Sequence, residues 1–185
     1  MIYIIDHNDS FTHNVVHQFE GFGDVTCDNF NEINEDKLNK SKVIVFSPGP
    51  GAPKDYPISS NIYKRFKGKK KIIGICLGFQ QILHCENGKI IKQKKIYHGY
   101  QSKIKVTSAN SLFKQNRKFN VGRYHSLKLK EPFVAKNFEI TMRCVISNVA
   151  MAIENSKENV YGFQFHPESF LTENGNLLIK KILSE

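Results

Sequence analysis

The chain has 185 residues, 40% of them hydrophobic, and carries 27 Lys and Arg against 17 Asp and Glu, a formal charge of +10. That length predicts one domain over 1–185 that buries its core without disulfides or metals, and no apolar stretch approaches the length of a bilayer span. The basic balance invites a nucleic-acid reading, but the lysines at 67–71 and 89–95 lack interleaved aromatic residues or a nucleic-acid-binding motif, so neither nucleic acid nor membrane is an expected partner; an acidic protein is one the charge would suit.

Met1 to Asp6 reads as a buried strand. Asn8, Asp9 and Ser10 then offer caps to a helix that carries Val15, Val16 and Phe19 on one face and ends at Gly21 and Gly23. His13 and His17 lie one turn apart on that helix, a spacing able to grip a metal, but no third ligand accompanies them and no metal is expected. A strand follows near Val25, another at Val43 to Phe46, a helix over Ile58 to Phe66, a strand over Lys71 to Ile75 and a helix over Leu77 to Cys85. This alternation predicts an α/β fold: a doubly wound, mostly parallel central sheet with helices on both faces and right-handed crossovers. From Lys89 to about Glu154 the pattern changes to short strand-like stretches at Lys89 to Ile91, Ser102 to Val106 and Glu139 to Val145, expected as antiparallel additions. Tyr161 to Phe165 reads as one more strand, and Asn176 to Leu183 as a closing helix with Leu177, Leu178 and Ile182 inward. The four cysteines form no C-x-x-C pair, and the N-terminus opens as a strand where a secretory signal needs a basic region and an apolar core; both predict a reducing, cytoplasmic setting.

Three segments carry chemistry. In Ile73-Gly74-Ile75-Cys76-Leu77-Gly78-Phe79-Gln80 an apolar run meets a Gly-x-Cys-x-Gly turn and a helix begins at once, the layout of a nucleophile elbow. Such a turn exposes the thiol, and the helix N-terminus beside it favours thiolate. A cysteine closing an apolar strand is ordinarily just a buried core residue, so partners must be found. Far downstream, Phe165-His166-Pro167-Glu168 supplies them: proline pushes His166 toward an extended conformation, which sets its side chain on the same side as that of Glu168. An imidazole steadied by a carboxylate can exchange protons with a thiol and a leaving group, so Cys76, His166 and Glu168 form a candidate triad. The third segment, Ser47-Pro48-Gly49-Pro50-Gly51-Ala52-Pro53, is a rigid loop whose free N–H groups come only from its glycines and Ala52. One of these, with the N–H of Leu77, would make an oxyanion hole.

These segments, together with Arg123-Tyr124-His125-Ser126-Leu127, resemble the signature segments of class I glutamine amidotransferases. The opening Ile4 to Asn14 and the closing Glu168 to Gly175 further resemble the glutaminase subunits of anthranilate synthase and 4-amino-4-deoxychorismate synthase. The resemblance implies that Cys76 is the nucleophile, that His166 and Glu168 complete its triad, and that Gly49 and Leu77 form the oxyanion hole. It implies that Gly49, Gly51, Gln80, Ser126 and Leu127 bind glutamine, that no cofactor is needed, and that ammonia passes to a chorismate-binding synthase partner. Phe79 departs from the family, which commonly has histidine there, and predicts a packing change. The competing readings are an amidotransferase subunit of another synthetase, a γ-glutamyl peptidase with the same triad, and a non-catalytic regulatory subunit on the same scaffold.

Overall fold

The computed structural model describes residues 1–185. Its elements, in chain order, are β1 (Ile2–Asp6), α1 (Thr12–Glu20), β2 (Val25–Asn29), α2 (Glu35–Lys40), β3 (Val43–Phe46), a 3-10 turn at Pro53–Asp55, α3 (Pro57–Phe66), β4 (Lys71–Ile75) and α4 (Leu77–Cys85). There follow β5 (Ile90–Lys92), β6 (Tyr100–Val106), β7 (Lys118–Arg123), β8 (Leu127–Leu129), β9 (Glu139–Cys144), β10 (Ala150–Asn155), β11 (Val160–Phe163) and α5 (Gly175–Leu183).

Nine strands make one sheet in the order β2-β1-β3-β4-β11-β10-β9-β6-β7, while β5 and β8 pair apart from it. From β2 to β11 every pairing is parallel; beyond β11 every pairing is antiparallel. The doubly wound α/β sheet with an antiparallel extension is therefore the observed architecture, and β11 is the strand on which the two halves meet.

Strand alternation explains why helices cover both faces. Ile2, Ile4, Val45, Ile73 and Ile75 point into a cluster closed by Val15 and Phe19 of α1 and by Leu178, Ile179 and Ile182 of α5. Their neighbours Tyr3, Ile5, Ile44, Phe46 and Ile72 point the opposite way, against Leu38 of α2, Ile62, Tyr63 and Phe66 of α3 and Ile82 and Leu83 of α4. Each such fully buried aliphatic or aromatic side chain contributes about 1.5–3 kcal/mol of transfer free energy, so neither face of the parallel half could stand bare. No helix is long and apolar enough to cross a membrane.

Several sequence expectations need correction. In α5 the inward residues are Leu178, Ile179 and Ile182, whereas Leu177 is 56% exposed; helical spacing from Leu178 selects Ile182 and leaves Leu177 on the outer side. The cap of α1 is not a side chain of Asn8, Asp9 or Ser10: Phe11 occupies the N-cap, and Asp9 acts two residues earlier by accepting the Phe11 N–H at 2.8 Å. The last strand closes at Phe163, short of Phe165. α2, β7, β8 and β10 had no counterpart among the expected elements.

The lysine run after α3 is also less solvated than its composition suggests. Lys67 bridges Glu86 at 2.7 Å and Glu158 at 3.3 Å, and Lys71 donates to the carbonyl of Ile182 at 2.6 Å, capping the C-terminus of α5. Phe79 is fully buried among the residues of the α4 face and lies against Gly162.

Candidate active site

β4 ends at Ile75, and the chain turns through Cys76 into α4 with Cys76 at φ +52° and ψ −98°. A non-glycine residue held there stores on the order of 1–3 kcal/mol, which the surroundings must over-determine. They do so through the backbone: the Cys76 N–H donates to the Phe163 carbonyl at 2.8 Å, and the Cys76 carbonyl accepts from Gln80 at 3.1 Å. Close approach makes the flanking glycines obligatory. A Cβ on Gly78 would lie 2.2 Å from the Phe46 carbonyl oxygen, and one on Gly74 would lie 2.5 Å from the backbone of Gly78. The elbow thus exists because α4 starts pressed against β3 and β4.

The adjacent strand, β11, delivers the second group. Past Phe163 the chain continues extended, Gln164 donating to Met151 and His166 pairing with Gly122 of β7. His166 is clasped on both sides: its N–H donates to the Gly122 carbonyl at 3.1 Å, and its own carbonyl accepts from the Thr172 hydroxyl. Gln18 of α1 donates to the Pro167 carbonyl at 2.9 Å. With the backbone so fixed, His166 Nδ1 and Glu168 Oε1 lie 2.6 Å apart, and both side chains are almost wholly inaccessible. The same-side geometry expected from the His-Pro-Glu sequence is the geometry present.

The rings of Phe11 and Tyr124 pack edge-on against the imidazole at 5.2 and 4.9 Å. Burial opposes a charge on His166. The carboxylate of Glu168 and a charge on Cys76 outweigh it and hold the His166 pKa well above the ordinary 6.5. Nε2, the ring nitrogen that Glu168 does not engage, has no hydrogen-bond partner, and neither has Glu168 Oε2. An orphaned ring nitrogen beside a cysteine is a place where a proton can be received and passed on.

The Pro-Gly loop leaves the end of β3 and is held from three sides. The Ser47 hydroxyl accepts the His7 N–H at 2.9 Å, the Tyr56 hydroxyl donates to the Pro50 carbonyl at 2.9 Å, and Ala52 donates its N–H to Asp55 Oδ2 at 2.9 Å. Of the three free donors expected in this loop, Ala52 is therefore spent internally, while the N–H groups of Gly49 and Gly51 remain unpartnered within the chain. Gly49 sits directly against the elbow, since a Cβ there would fall 2.5 Å from Leu77 Cδ2 and 2.6 Å from His7 Cβ. Leu77 is the first residue of α4, where no intrahelical acceptor exists for its N–H.

A cavity of about 490 Å³ joins these parts. Its wall includes Cys76, Leu77, Gln80, Gly49, Gly51, Ser126 and Leu127, together with Asn8, Asp9, Ser10, His98, Tyr124 and His125. His166 and Glu168 stand behind the wall. The candidate triad, oxyanion and glutamine-binding residues all lie on or behind this wall, whereas His13 and His17 stand exposed on α1 away from it.

Sequence reasoning passed over Gln164. Fully buried beyond the end of β11, it accepts from Gln80 Nε2 at 3.0 Å and directs its own Nε2 at Cys76 Sγ at 3.8 Å. The signal was available: a lone polar residue between Phe163 and Phe165 in an otherwise apolar segment. Phe11 and Tyr124, which shield the imidazole, gave no such signal, because exposure and packing are tertiary properties.

Comparison with known proteins identifies the family and the fold. The profile of the family Glutamine amidotransferase class-I matches residues 3–185. Anthranilate synthase component 2 of Lactococcus lactis subsp. lactis (strain IL1403) is 39% identical over 187 residues, covering 100% of this chain and 94% of the relative. The bifunctional protein TrpGD of Thermotoga maritima is 36% identical over 190 residues, covering 99% of this chain and 32% of the relative. Among solved structures, a putative GMP synthase subunit from Thermoplasma acidophilum superposes with a TM-score of 0.84 at 19% identity, covering 99% of this chain and 92% of that one. PurLQS from Thermotoga maritima gives 0.76 at 17% identity, covering 99% and 97%. At such identities the structural likeness concerns the fold alone.

Proposed function

This chain belongs to the class I glutamine amidotransferases, and from that premise we propose that Cys76, His166 and Glu168 release ammonia from glutamine in the cavity for a chorismate-using synthase partner. The observation that carries the reading is the His166 ring, tied through Nδ1 to Glu168 at 2.6 Å and left open at Nε2, beside a cysteine in a strained turn.

The thiolate of Cys76 attacks the side-chain amide carbon of glutamine, forming a carbon–sulfur bond and a tetrahedral oxyanion. The N–H groups of Gly49 and Leu77 receive that charge, and Gly51, Gln80, Ser126 and Leu127 hold the rest of the substrate. His166, protonated at Nε2, gives its proton to the departing nitrogen as the carbon–nitrogen bond breaks, leaving ammonia and a γ-glutamyl thioester. The now neutral imidazole takes a proton from water. The resulting hydroxide equivalent hydrolyses the thioester to glutamate and restores the thiolate. Glu168 keeps the ring oriented throughout and stabilises each imidazolium.

The relatives named anthranilate synthase component 2 support a synthase partner that receives the ammonia and performs the chorismate chemistry. The four cysteines are unpaired, in keeping with the reducing cytoplasm in which we place the protein. The decisive experiment is Cys76→Ala in the reconstituted complex. Glutamine-dependent synthesis of the aromatic product should vanish, while synthesis from added ammonium should continue at the wild-type rate. Undiminished use of glutamine would remove the cysteine from the mechanism.

A further inference from the structure

We propose that Arg123 is a positioning residue for glutamine, acting through the imidazole of His125 on the Ser126–Leu127 segment of the cavity wall. The proposal rests on the reading above that this segment holds the substrate.

Arg123 ends β7 as a completely buried cation with no carboxylate in ion-pair contact. A charge so placed is costly unless its donors are used. Its guanidinium lies over the Tyr97 ring, 3.5 Å from Cζ to the centroid, and Nη1 reaches Cys144 Sγ at 3.5 Å. Its Nε donates to His125 Nε2 at 3.0 Å. This last contact fixes more than a distance. Arginine never gives up its proton in a protein and has no acceptor, so His125 Nε2 must present a lone pair.

Two consequences follow for the ring. First, it is neutral: burial, then the Arg123 charge, push the His125 pKa down to about 3. Second, its single proton must sit on Nδ1. Nδ1 lies 2.8 Å from the Leu127 carbonyl oxygen, an acceptor that only this tautomer can satisfy. In the opposite tautomer an N–H would face the Arg123 N–H and a lone pair would face the carbonyl, so both contacts would turn repulsive. Gln93 Nε2 also comes within 3.2 Å of Nδ1, but its bond is the shorter one, 2.6 Å, to the His125 carbonyl.

The same segment is held elsewhere by the Gln93 N–H, which donates to the Ser126 carbonyl at 2.9 Å. With the carbonyls of both Ser126 and Leu127 engaged on the protein side, the orientation of this short stretch toward the cavity is determined. Arg123 supplies the one link whose sense is set by a group that does not titrate.

A residue that merely fills the core would weaken folding, whereas a residue acting through the His125 proton predicts coupling. The probe is 6-diazo-5-oxo-L-norleucine, a glutamine-shaped electrophile that alkylates the nucleophile, with iodoacetamide reporting thiol reactivity independent of substrate recognition. For Arg123→Met and for His125→Leu, the concentration giving half-maximal labelling of Cys76 should rise at least about tenfold, which is about 1.4 kcal/mol of lost recognition. The maximal labelling rate and the iodoacetamide rate should hold. His125→Asn keeps an N–H donor near the position of Nδ1, so its half-maximal concentration should stay within about threefold of wild type; adding Arg123→Met to it should cost nothing further.

Equal losses in His125→Asn and His125→Leu, or additive losses in the double variant, would overturn the proposal. The His125 pair decides the matter even where Arg123→Met fails to fold. Normal labelling of the wild type with an unmoved concentration dependence in His125→Leu defeats the proposal alone, whereas a wild type never labelled at Cys76 defeats the assignment of the cavity and the proposal with it.

Discussion

A single methyl group at Gly49 tests whether the Pro-Gly loop contributes to catalysis. An added Cβ would stand 2.5 Å from Leu77 Cδ2, 2.6 Å from His7 Cβ and 3.0 Å from the His7 carbonyl oxygen. Non-bonded carbons rest about 3.5–4.0 Å apart, so clearance is short by about 1 Å on two sides. Leu77 can turn the end of its side chain away; His7 cannot retreat, because it follows β1 directly and its ring is bonded to Ser59 and Ser47. The loop must therefore move, and the Gly49 N–H moves with it. Removal of one oxyanion donor costs about 10²–10³ in kcat, roughly 3–4 kcal/mol of transition-state stabilisation, whereas the crowding itself should cost about 1–3 kcal/mol of folding free energy. The assay is steady-state glutamine hydrolysis by the Gly49→Ala protein in complex with its synthase, beside its melting curve and the rate of Cys76 alkylation by iodoacetamide. Gly21→Ala is the matched control, since a Cβ there meets only the Gln18 carbonyl oxygen at 3.4 Å. A folded Gly49→Ala enzyme that retains kcat within about threefold of wild type would refute the assignment of the loop to the oxyanion hole.

Two further outcomes concern protonation. The folded-state pKa of His166 lies above its unfolded value, so its stabilising contribution is complete below about pH 6.5 and is lost as pH rises through the elevated value. Glu168→Gln removes the strongest raising influence, so the alkaline limb of kcat/KM for glutamine should move to lower pH and kcat should fall on the order of 10²–10⁴-fold; an unmoved limb would refute the role given to Glu168. His7 behaves oppositely, because burial depresses its pKa from 6.5 to about 4. The unfolded chain then takes up the proton first, and on the order of 3 kcal/mol of stability should be lost between pH 6.5 and 4. His7→Asn should flatten that part of the curve of melting temperature against pH, and an equally steep curve would exclude His7 as its source.

The parallel half of the fold was nearly complete in the sequence, because its inner strands β1, β3 and β4 are largely apolar runs and α1, α3 and α4 carry apolar stripes, whereas the edge strand β2 is half-buried and mixed. β3, β4 and α4 have the boundaries their patterns predict. α2 escaped notice because Leu38 is its only buried residue; Asn34, whose side chain accepts the Lys37 N–H at 3.0 Å, was its one local mark. β7 alternates inward as Phe119, Val121 and Arg123, and a cation in the third inward place broke a pattern that reads only apolar residues. β10 is buried throughout yet ends in Glu154 and Asn155, and its Glu154 is satisfied by Ser111 and Leu112 from a distant loop. Of the site, the elbow, the His-Pro-Glu segment and the Pro-Gly loop were legible because each owes its shape to its own backbone chemistry. The clasp of Gly122 and Thr172 on His166 was not, because it exists only once β7 and the segment before α5 have come together.

The proposed nucleophile and base, Cys76 and His166, leave the sheet from neighbouring strands, β4 and β11, paired in register as Ile75 with Phe163 and fastened beyond that pair by the Cys76 N–H. Their separation is set by the interstrand repeat, about 4.8 Å, together with the clasp of Gly122, Thr172 and Gln18 on the His166 segment, all of it buried inside the fold. Descendants of such a chain can exchange their outer lysines, lengthen their hairpins or acquire a new acceptor enzyme at the rim without retuning the reactive pair. The nitrogen-releasing centre behaves as a fixed cartridge, and diversification is left to whatever docks upon it.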